Sequence, residues 1–398
     1  MINTSKKIIR KILNSFEAIF HFTNFLFRDI KKLDDVEVVF FFPYYQTGGA
    51  ERVHLNIVKC LSHKNACILF TNNSSTSNFY HDFDQYSKLI EINKILTKRI
   101  SIINKILKKI ILRSLNTNKN LTLVFGSNTN YFYELLPNIN SKIKKIDLIH
   151  AISGENKIIT DLYMACSCYL NTRIAINKKA KFDLLGYYRL NGIDEKYNKN
   201  IHIIGNGIQM SGEHFIEKNN TKIKIGFVGR WSLEKRPELF LEIAKVIKST
   251  KSSIEFEMAG IGMKSNILKI NDAGVSFLGE ITDYRTLLEI YRNLTFILVT
   301  SYREGFPVVI MEAMSQGVIP IATNVGGINE HIIDGVNGLL IDNGNEDKII
   351  ADFIKAINTL MNDKEQMLLI SKNAFTYAHS NFQIEKFNES YKKTLLND

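Results

Sequence analysis

Short apolar runs alternate with helical patterns along almost the whole chain, and they form two separate series. The first series begins at Val36–Phe42 and ends at Ile201–Ile204, and the second begins at Ile223–Val228 and ends at Gly338–Ile341. Short apolar runs, each followed by a loop and a helix, are typical of parallel sheets covered by helices. The sequence therefore predicts an α/β protein with two Rossmann-like, doubly wound parallel-sheet domains that face each other across a cleft.

The length of the chain agrees with two domains. Domains usually contain about 100–200 residues, and this chain has 398. We place the N-terminal domain at residues 1–210 and the C-terminal domain at 211–375, with the polar stretch 211–221 as the linker. Residues 376–398 are predicted to form a helical tail.

Charge is shared unequally between the two halves. Residues 1–210 carry a formal net charge of +14, and residues 211–398 carry −3. An excess of this kind favours an anionic partner for the first half, such as an acidic polymer or a lipid headgroup surface. A basic domain that is simply solvated fits the same pattern.

The most basic and apolar segment is Lys94–Arg113, which has the composition of a helix that lies on anionic lipid. Its aliphatic rather than aromatic residues argue against nucleic acid as the partner. An ordinary helix with one core face and one solvated face is the alternative. No run reaches the roughly 18 apolar residues that cross a bilayer, and the start Lys6–Arg28 fits either a helix on a membrane surface or one packed on the protein. We therefore expect a cytoplasmic protein, peripheral at the inner face of the membrane, with its four cysteines reduced.

The segment 301–327 contains the strongest indication of chemistry. A predicted strand ends at Thr300, and a loop with Glu304, Gly305 and Phe306 leads to Pro307. Proline suits the first position of a helix, and the free N–H groups of a helix start attract phosphate. Glu312 lies further along the same helix, so the two glutamates are predicted to contact different parts of one extended ligand.

A second constellation follows the strand Ile223–Val228. Arg230 and Lys235 lie in the loop before a helix that is predicted to start near Pro237. A guanidinium fork and a lysine point charge together suit two adjacent phosphates. A surface loop in a lysine-rich chain is the alternative interpretation.

Three further positions carry weaker indications. Gly49 follows the first strand in a Gly-Gly pair that we expect to form a tight turn open to a phosphate or sugar. His150 closes a strand in the first half, and Gly260 follows a strand in the second half. A loop-to-helix turn explains Gly49 equally well, and a hydrogen-bonded structural histidine explains His150 nearly as well. Gly260 is consistent with close approach to a nucleotide, but its G-x-G lacks a third glycine.

The ordered motifs resemble the group 1, retaining glycosyltransferases of the GT-B fold. The motifs occur in this order: GGAE from Gly48, NG at Asn206, G-R-x4-K from Gly229, E-G-F-P-x3-M-E-A-M-x2-G from Glu304, A-T-x2-G-G from Ala322 and D-G-x-N-G-L-L from Asp334. The resemblance is strong over residues 222–345 and weaker at 36–62 and 146–209. Gly205, Gln209 and the pair Asn293-Leu294 depart from the usual pattern.

This resemblance implies roles for the residues singled out above. Arg230 and Lys235 would neutralise the diphosphate of a donor, and Glu304 would bind hydroxyls of the transferred sugar. The backbone of Gly305, Phe306 and Pro307 would lie alongside that sugar. Neither a cofactor nor a metal ion would be required.

Other roles are implied in the same way. Glu312 would hold the ribose, Gly49 would approach the phosphates from the N-terminal domain, and His150 would lie near sugar and acceptor. Gly260 would lie close to the nucleotide. The tail helix would pack back on the N-terminal domain.

The sequence thus predicts transfer of a hexose or N-acetylhexosamine from a nucleoside-diphosphate sugar, with UDP as the expected nucleotide. The acceptor would be lipid-linked or part of a surface glycan such as lipopolysaccharide, O-antigen or capsule. Two alternatives stay open: a nucleotide-sugar epimerase of the same fold, and a non-catalytic nucleotide-sugar-binding protein.

Overall fold

The computed structural model describes residues 2–151, 157–212, 214–218, 222–251 and 253–396, without the side chains of 2–12 and 157–159. The chain divides into two compact units. The first contains Met1–Ala175, Lys181–Ile204 and Ser390–Asp398, and the second contains Ile176–Ala180 and Gly205–Glu389. The main division at Ile204 and Gly205 falls before the boundary at residue 210 expected from the sequence.

The first unit is built on a seven-stranded parallel sheet with the order β3-β2-β1-β4-β5-β6-β7. Its strands are β1 (Val38–Phe42), β2 (Ala66–Phe70), β3 (Lys88–Glu91), β4 (Leu123–Ser127), β5 (Lys144–Ile149), β6 (Thr172–Ala175) and β7 (Ile201–Ile203). All residues of β1, β2 and β4 are buried, as expected for parallel strands covered on both faces.

The second unit is built on a six-stranded parallel sheet with the order β10-β9-β8-β11-β12-β13. Its strands are β8 (Lys224–Val228), β9 (Glu255–Ala259), β10 (Ser276–Phe277), β11 (Phe296–Val299), β12 (Ile319–Thr323) and β13 (Leu339–Ile341). In both sheets the first strand lies beside the fourth, which is the Rossmann arrangement. The predicted α/β class with two doubly wound parallel sheets is confirmed.

Helices connect the strands in each unit. Those of the N-terminal part are α1 (Ile2–Asn24), α2 (Gly49–Cys60), α3 (Tyr80–Asp84), α4 (Asn93–Leu96), α5 (Ser101–Thr117), α6 (Asn130–Leu135), α7 (Lys157–Ala165) and α8 (Lys178–Leu190). Those of the C-terminal part are α9 (Pro237–Thr250), α10 (Ile267–Asp272), α11 (Tyr284–Asn293), α12 (Val308–Met314), α13 (Glu346–Asn362), α14 (Lys364–Asn381) and α15 (Ile384–Leu396).

The basic segment Lys94–Arg113 is not one helix. It divides into α4 and the greater part of α5, because Arg99 between them takes a left-handed backbone conformation with φ of +56°. A non-glycine residue in this conformation interrupts a right-handed helix. On α5, Ile103, Leu107 and Ile111 are buried in the core of the first unit, so the apolar face of this segment is largely a packing face.

A buried ion pair joins β5 and β6 inside the first unit. Arg173 donates to both carboxylate oxygens of Asp147, with its Nη2 at 2.8 Å from Oδ2, and both side chains are almost completely buried. Tyr133 also donates to Asp147 at 2.8 Å, and Nη1 of Arg173 donates to Ser167 and Tyr188. A buried charge pair needs such additional hydrogen bonds to offset the loss of hydration.

No helix among the described residues is long and apolar enough to cross a membrane. All four cysteines are free thiols, with Cys60, Cys67 and Cys166 buried and Cys168 exposed.

Candidate functional site

The candidate site of the second unit lies where β8 and β11 are neighbours in the sheet. These strands are not consecutive in the chain, and their residues pair in parallel at Phe296 with Ile225 and at Ile297 with Gly226. Such a switch point leaves a crevice at the carboxyl ends of the strands, where ligands of this fold class bind. The loop after β8 and the loop after β11 both start at this edge, and they contain the residues predicted from the sequence.

Lys235 and Glu304 come together at this edge. The Nζ of Lys235 lies 2.5 Å from Oε1 of Glu304, and Ser301 donates to the same oxygen at 2.6 Å. The side chain of Glu304 is 8% exposed and that of Lys235 is 22% exposed. The structure therefore brings together one cation and one anion of the predicted site in a partly dehydrated position, where charge interactions are stronger than in water.

Arg230 lies in the same loop but is more exposed. Its Nη2 is 3.1 Å from Oε1 of Glu234, and Arg303 of the neighbouring loop lies 3.7 Å from the other oxygen of that carboxylate. Glu234 thus connects the loop after β8 to the loop after β11. The predicted cation Arg230 is thus paired with Glu234, whereas Lys235 is paired with Glu304.

Arg236, which the sequence interpretation did not single out, fixes the two loops to each other. Its Nε donates to the carbonyl of Thr300 at 2.7 Å, and its Nη2 donates to the carbonyl of Ser301 at 3.0 Å. In return, the hydroxyl of Thr300 donates to the carbonyl of Lys235 at 2.8 Å. Arg236 has φ of +46° and precedes Pro237, which opens α9 as predicted. The only sequence signal for this clamp is an arginine directly before a helix-starting proline.

Two glycines of the A-T-x2-G-G motif support the backbone of the Glu304 loop. A methyl carbon added at Gly326, which has φ of +58°, would overlap the carbonyl oxygen of Glu304. The N–H of Gly327 donates to the carbonyl of Gly305 at 2.7 Å, and Asn177 donates to the same oxygen at 3.1 Å. The motif is therefore a platform on which the loop lies, with no side chain between the two backbones.

The helix start at Pro307 differs from the prediction. Pro307 has extended backbone angles and is the N-cap, so α12 begins one residue later at Val308. The prediction that proline occupies the first helical position is wrong, because its ψ of 131° is extended rather than helical. Its carbonyl still accepts a hydrogen bond from the N–H of Ile310 in the first turn, as is usual for an N-cap residue. Gly317 closes the following turn in a left-handed conformation, and the N–H of Val318 donates to the carbonyl of Ala313, which is a Schellman motif.

Phe306 and Glu312 are both buried. The ring of Phe306 packs against His331 at 4.3 Å between centroids. Glu312 is 2% exposed, and its Oε2 accepts a hydrogen bond from the hydroxyl of Tyr291 at 3.1 Å. Glu312 therefore lies within α12 and is buried inside the second unit, whereas Glu304 lies in the loop before this helix. Its predicted role at a ribose stays a prediction.

Gly260 has a packing reason of its own. With φ of +137° it lies against the backbone of Gly229, where a side-chain carbon would overlap the carbonyl oxygen. Its N–H donates to the carbonyl of Gly279 at 3.0 Å. Gly260 thus lets the loops after β8 and β9 approach each other closely, and its predicted proximity to a nucleotide stays a prediction.

In the first unit, the glycine pair does not form the expected tight turn. Gly48 is extended, with φ of −179° and ψ of 158°, and caps α2, while Gly49 is the first residue of that helix. Neither glycine uses a left-handed conformation. Absence of a side chain at Gly48 instead leaves room for the carboxylate of Glu51, one turn into the helix.

His150 lies directly after β5 and contacts a second histidine that the sequence interpretation missed. The Nε2 atoms of His150 and His54 are 3.2 Å apart. His54 is on α2 and is completely buried. The sequence signal for this contact is weak: His54 is a polar residue among the mostly apolar buried residues of α2.

Among the described residues, no three His, Cys, Asp or Glu side chains lie close enough together to hold a metal ion. The predicted absence of a metal requirement stays a prediction. What the site of the second unit can offer to a ligand is a pair of cations, Arg230 and Lys235, beside one hydrogen-bond-accepting carboxylate. This combination suits a molecule with a diphosphate and neighbouring hydroxyl groups.

Two parallel sheets of this order define an α/β protein of the GT-B class. Residues 213–376 match the family described as glycosyl transferases group 1. The resemblance to this family is therefore confirmed for residues 213–376, and the predicted fold class is confirmed by the two sheets.

Two relatives in sequence are also described as glycosyltransferases. The chain is 28% identical over 166 residues to a D-inositol 3-phosphate glycosyltransferase of Paenarthrobacter aurescens, covering 39% of each chain. It is 27% identical over 192 residues to an uncharacterized glycosyltransferase of Methanocaldococcus jannaschii, covering 47% of this chain and 52% of that relative. The matched segments thus span about half or less of these relatives' lengths.

The fold extends over nearly the whole chain. The solved structure of Anabaena HepE superimposes with a TM-score of 0.71 at 17% identity, covering 90% of this chain and 99% of that one. At this identity the likeness concerns the fold.

Proposed function

We propose that this protein is a retaining glycosyltransferase that moves a hexose or N-acetylhexosamine from a UDP-sugar to a glycan or lipid-linked acceptor. The observation that carries the proposal is the pair Lys235–Glu304, 2.5 Å apart at the carboxyl ends of β8 and β11. A cation for the diphosphate and a carboxylate for sugar hydroxyls are the two functions that a donor site needs at adjacent positions. Both lie within the part of the chain that matches the group 1 family.

The chemistry follows from the charge that develops when the bond between sugar and diphosphate breaks. Negative charge accumulates on the departing phosphate oxygens, and fixed cations stabilise it without reorganising. Lys235 is held in place by Glu304, and Arg230 by Glu234. We give these side chains more weight than the start of α12, because that helix has only seven residues.

In this proposal the donor lies along the loop after β11. Glu304 accepts hydrogen bonds from sugar hydroxyls, with the backbone of Gly305, Phe306 and Pro307 alongside. Glu312 and Gly260 are assigned to the nucleoside side of the donor. Gly49 and His150 of the first unit are assigned to the phosphates and to the sugar and acceptor.

UDP is proposed as the nucleotide because of a structural neighbour. Anabaena HepE has been solved in complex with UDP and with UDP-glucose. The charged side chains of the site do not distinguish one base from another, since any nucleoside diphosphate presents the same phosphates. We therefore propose that the site recognises chiefly the diphosphate of the donor and only secondarily its uracil base.

A lipid-linked acceptor is proposed from the surface of α1 and α5. Leu13, Phe16 and Phe20 share one face of α1, and Phe27 lies about two turns further along, in the π-helical residues Phe25–Asp29. Their exposed fractions range from 56% to 74%. A row of exposed aromatic residues on a helix is typical of segments that insert into a membrane interface.

Basic residues border this apolar row, although fewer than expected. Lys94, Lys98 and Lys108 pair with the carboxylates of Glu91, Glu17 and Glu134. The remaining cations of α5 that are exposed beside Ile102 and Ile106 are Lys105, Lys109 and Arg113. The basic side chains at positions 6–11 lie outside the described residues. We therefore assign peripheral contact with the inner membrane face to α1 and α5 together, with assembly of a surface glycan such as lipopolysaccharide, O-antigen or capsule as the role.

Replacement of the three charged side chains tests the catalytic proposal. With a UDP-sugar donor, Lys235→Ala, Arg230→Ala and Glu304→Ala should each lower kcat by about 100-fold or more, because each removes one fixed charge from the reacting phosphates or sugar. Donor turnover is followed by UDP release, and donor binding by thermal shift against UDP-, GDP- and ADP-sugars.

Lys245→Ala and Glu242→Ala are matched controls, since these residues form an exposed ion pair on α9. Both should leave turnover unchanged. Wild-type rates in all three site variants would contradict the proposal. Conversion of a nucleotide sugar without any acceptor would indicate an epimerase, and donor binding without turnover would indicate a non-catalytic binding protein.

A further inference from the structure

The two histidines of the first unit pack directly against each other. The rings of His54 and His150 meet edge to face, with centroids 5.2 Å apart and an interplanar angle of 63°. On its other side, the ring of His54 stacks on Phe42 at 4.3 Å and 3°. Phe42 is the last residue of β1 and His150 follows β5, so His54 of α2 lies between two strand ends.

The surroundings of the pair favour uncharged rings. Burial holds the pKa of His54 well below its ordinary value, and the neighbouring His150 lowers it further. Burial also lowers the pKa of His150 to about 4. Burial is thus the main cause of both shifts, and the neighbouring histidine adds to the shift of His54.

A hydrogen bond between two neutral imidazoles needs one donor and one acceptor. The Nδ1 atom of His54 is buried and has no hydrogen-bond partner among the described residues. Within the described part of the chain, Nδ1 of His54 is therefore unpaired in either tautomer, as an N–H if it carries the proton and as a lone pair if it does not. A buried N–H without an acceptor is the rarer of these two arrangements in proteins, which favours the lone pair on Nδ1. If the proton is instead on Nε2 of His54, this Nε2–H donates the hydrogen bond to Nε2 of His150, 3.2 Å away. His150 must then accept through Nε2, and its own proton must be on Nδ1.

We propose that His54 is a positioning residue that orients the ring of His150 and fixes its proton on Nδ1. His150 thereby enters the reaction as a neutral group whose Nδ1–H can donate to a sugar or acceptor oxygen, and not as a base. The part of this inference that concerns catalysis rests on the proposed function of His150. The part that concerns the two rings is independent of it.

The first test measures the rings in the wild-type protein. The chain has nine histidines, so selective ¹⁵N-histidine labelling gives few signals, which can be assigned with His54→Phe and His150→Phe. Two-bond ¹H–¹⁵N correlation spectra should show both rings neutral at pH 7 and still neutral at pH 5.5, with the proton of His150 on Nδ1 and that of His54 on Nε2. A proton on Nε2 of His150, or a charged ring at pH 5.5, would overturn the proposal.

The second test separates positioning from packing. His54→Phe keeps an aromatic ring stacked on Phe42 but removes the hydrogen bond to His150. We expect this variant to lower kcat for transfer by about 10-fold, because loss of a partner that orients a histidine commonly has an effect of this size. The KM for the donor should stay the same. His54→Gln, whose amide N–H can donate, should lose less. Val58→Ala removes buried volume from the same helix and should leave kcat unchanged. Wild-type kcat in His54→Phe would overturn the catalytic part of the proposal. Absence of transfer in every protein, including the wild type, would instead reject the proposed function. The spectra would then test the hydrogen bond between His54 and His150 independently.

Discussion

At the scale of single residues, the molecule uses buried charge in two different ways. Arg173 and Asp147 form a complete network inside the first unit, in which both partners are hidden from solvent. Lys235 and Glu304 form a pair that is only partly dehydrated and lies at the end of two strands. The first pair can only be structural, whereas the second can exchange its partner for a ligand.

Removal of one member of the buried pair should destabilise the protein strongly. Arg173→Met leaves the carboxylate of Asp147 buried without its cation, and we expect the free energy of unfolding to fall by about 3–5 kcal/mol. Urea denaturation followed by circular dichroism measures this change.

The double variant Arg173→Met/Asp147→Leu should recover much of that loss, because no uncompensated charge remains. Arg189→Met is the control, since Arg189 is exposed on α8 and its replacement should change stability by less than about 0.5 kcal/mol. Equal effects of the buried and the exposed arginine would refute this interpretation of the network.

At the scale of helices and strands, the sequence predicts most of the sheet because its strands are short apolar runs. The predicted strand Val36–Phe42 is observed as Val38–Phe42, and Ile319–Thr323 is observed unchanged. The edge strand β3, Lys88–Glu91, has no such signal, because it contains charged residues at both ends and is only partly buried. Its position is determined by pairing with β2.

The site shows the same limits. Arg230, Lys235 and Glu304 could be predicted because they lie in loops that follow recognisable strands. Arg236 and Asn177 could not, because their contacts join residues far apart in the chain. Arg99 has no glycine-like signal for its left-handed backbone, so the sequence could not indicate that Lys94–Arg113 is divided.

The glycine platform below the Glu304 loop gives a prediction at this scale. Gly326→Ala adds a carbon that overlaps the carbonyl oxygen of Glu304 and forces a left-handed alanine. We expect the free energy of unfolding to fall by at least about 2 kcal/mol, and donor binding to weaken because the loop moves. Thermal unfolding with and without UDP measures both effects.

Gly344→Ala is the matched control, because no atom lies near the added carbon and the backbone there is not left-handed. It should change neither stability nor UDP binding measurably. Normal UDP binding in Gly326→Ala would show that the path of the Glu304 loop does not depend on the platform.

At the scale of the whole molecule, the uneven charge is the most general feature. The excess of +14 in residues 1–210 exceeds the net charge of the entire chain, which is +11. Several of the lysines in Lys94–Arg113 are neutralised by nearby glutamates, so the local density of cations is lower than the sequence implies. The proposed membrane contact would therefore depend on the exposed apolar row of α1 as well as on charge.

Vesicle binding should reflect both contributions. The protein should sediment with vesicles that contain anionic lipid, less so with purely zwitterionic ones, and binding should weaken between about 50 mM and about 500 mM NaCl as charges are screened. Phe16→Ser/Phe20→Ser should reduce binding at both salt concentrations, whereas Lys105→Glu/Lys109→Glu should reduce it mainly at the lower one.

Lys245→Glu, on α9 of the second unit, is the control for the loss of positive charge and should bind as the wild type does. Absence of binding to anionic vesicles at low salt would reject peripheral membrane contact. Equal loss in the control and in the α5 variant would indicate a dependence on total charge only.

The contact between Gly326, Gly327 and the Glu304 loop also bears on redesign. Since main chain rests on main chain there, the contact of the loop with Gly326 and Gly327 does not depend on the side chains at positions 302 and 303. Replacement of Tyr302 should therefore leave the glycine contact intact, whereas replacement of Arg303 would also remove its ion pair with Glu234. A library that varies these two positions and spares the glycines is the natural starting point for altering donor preference.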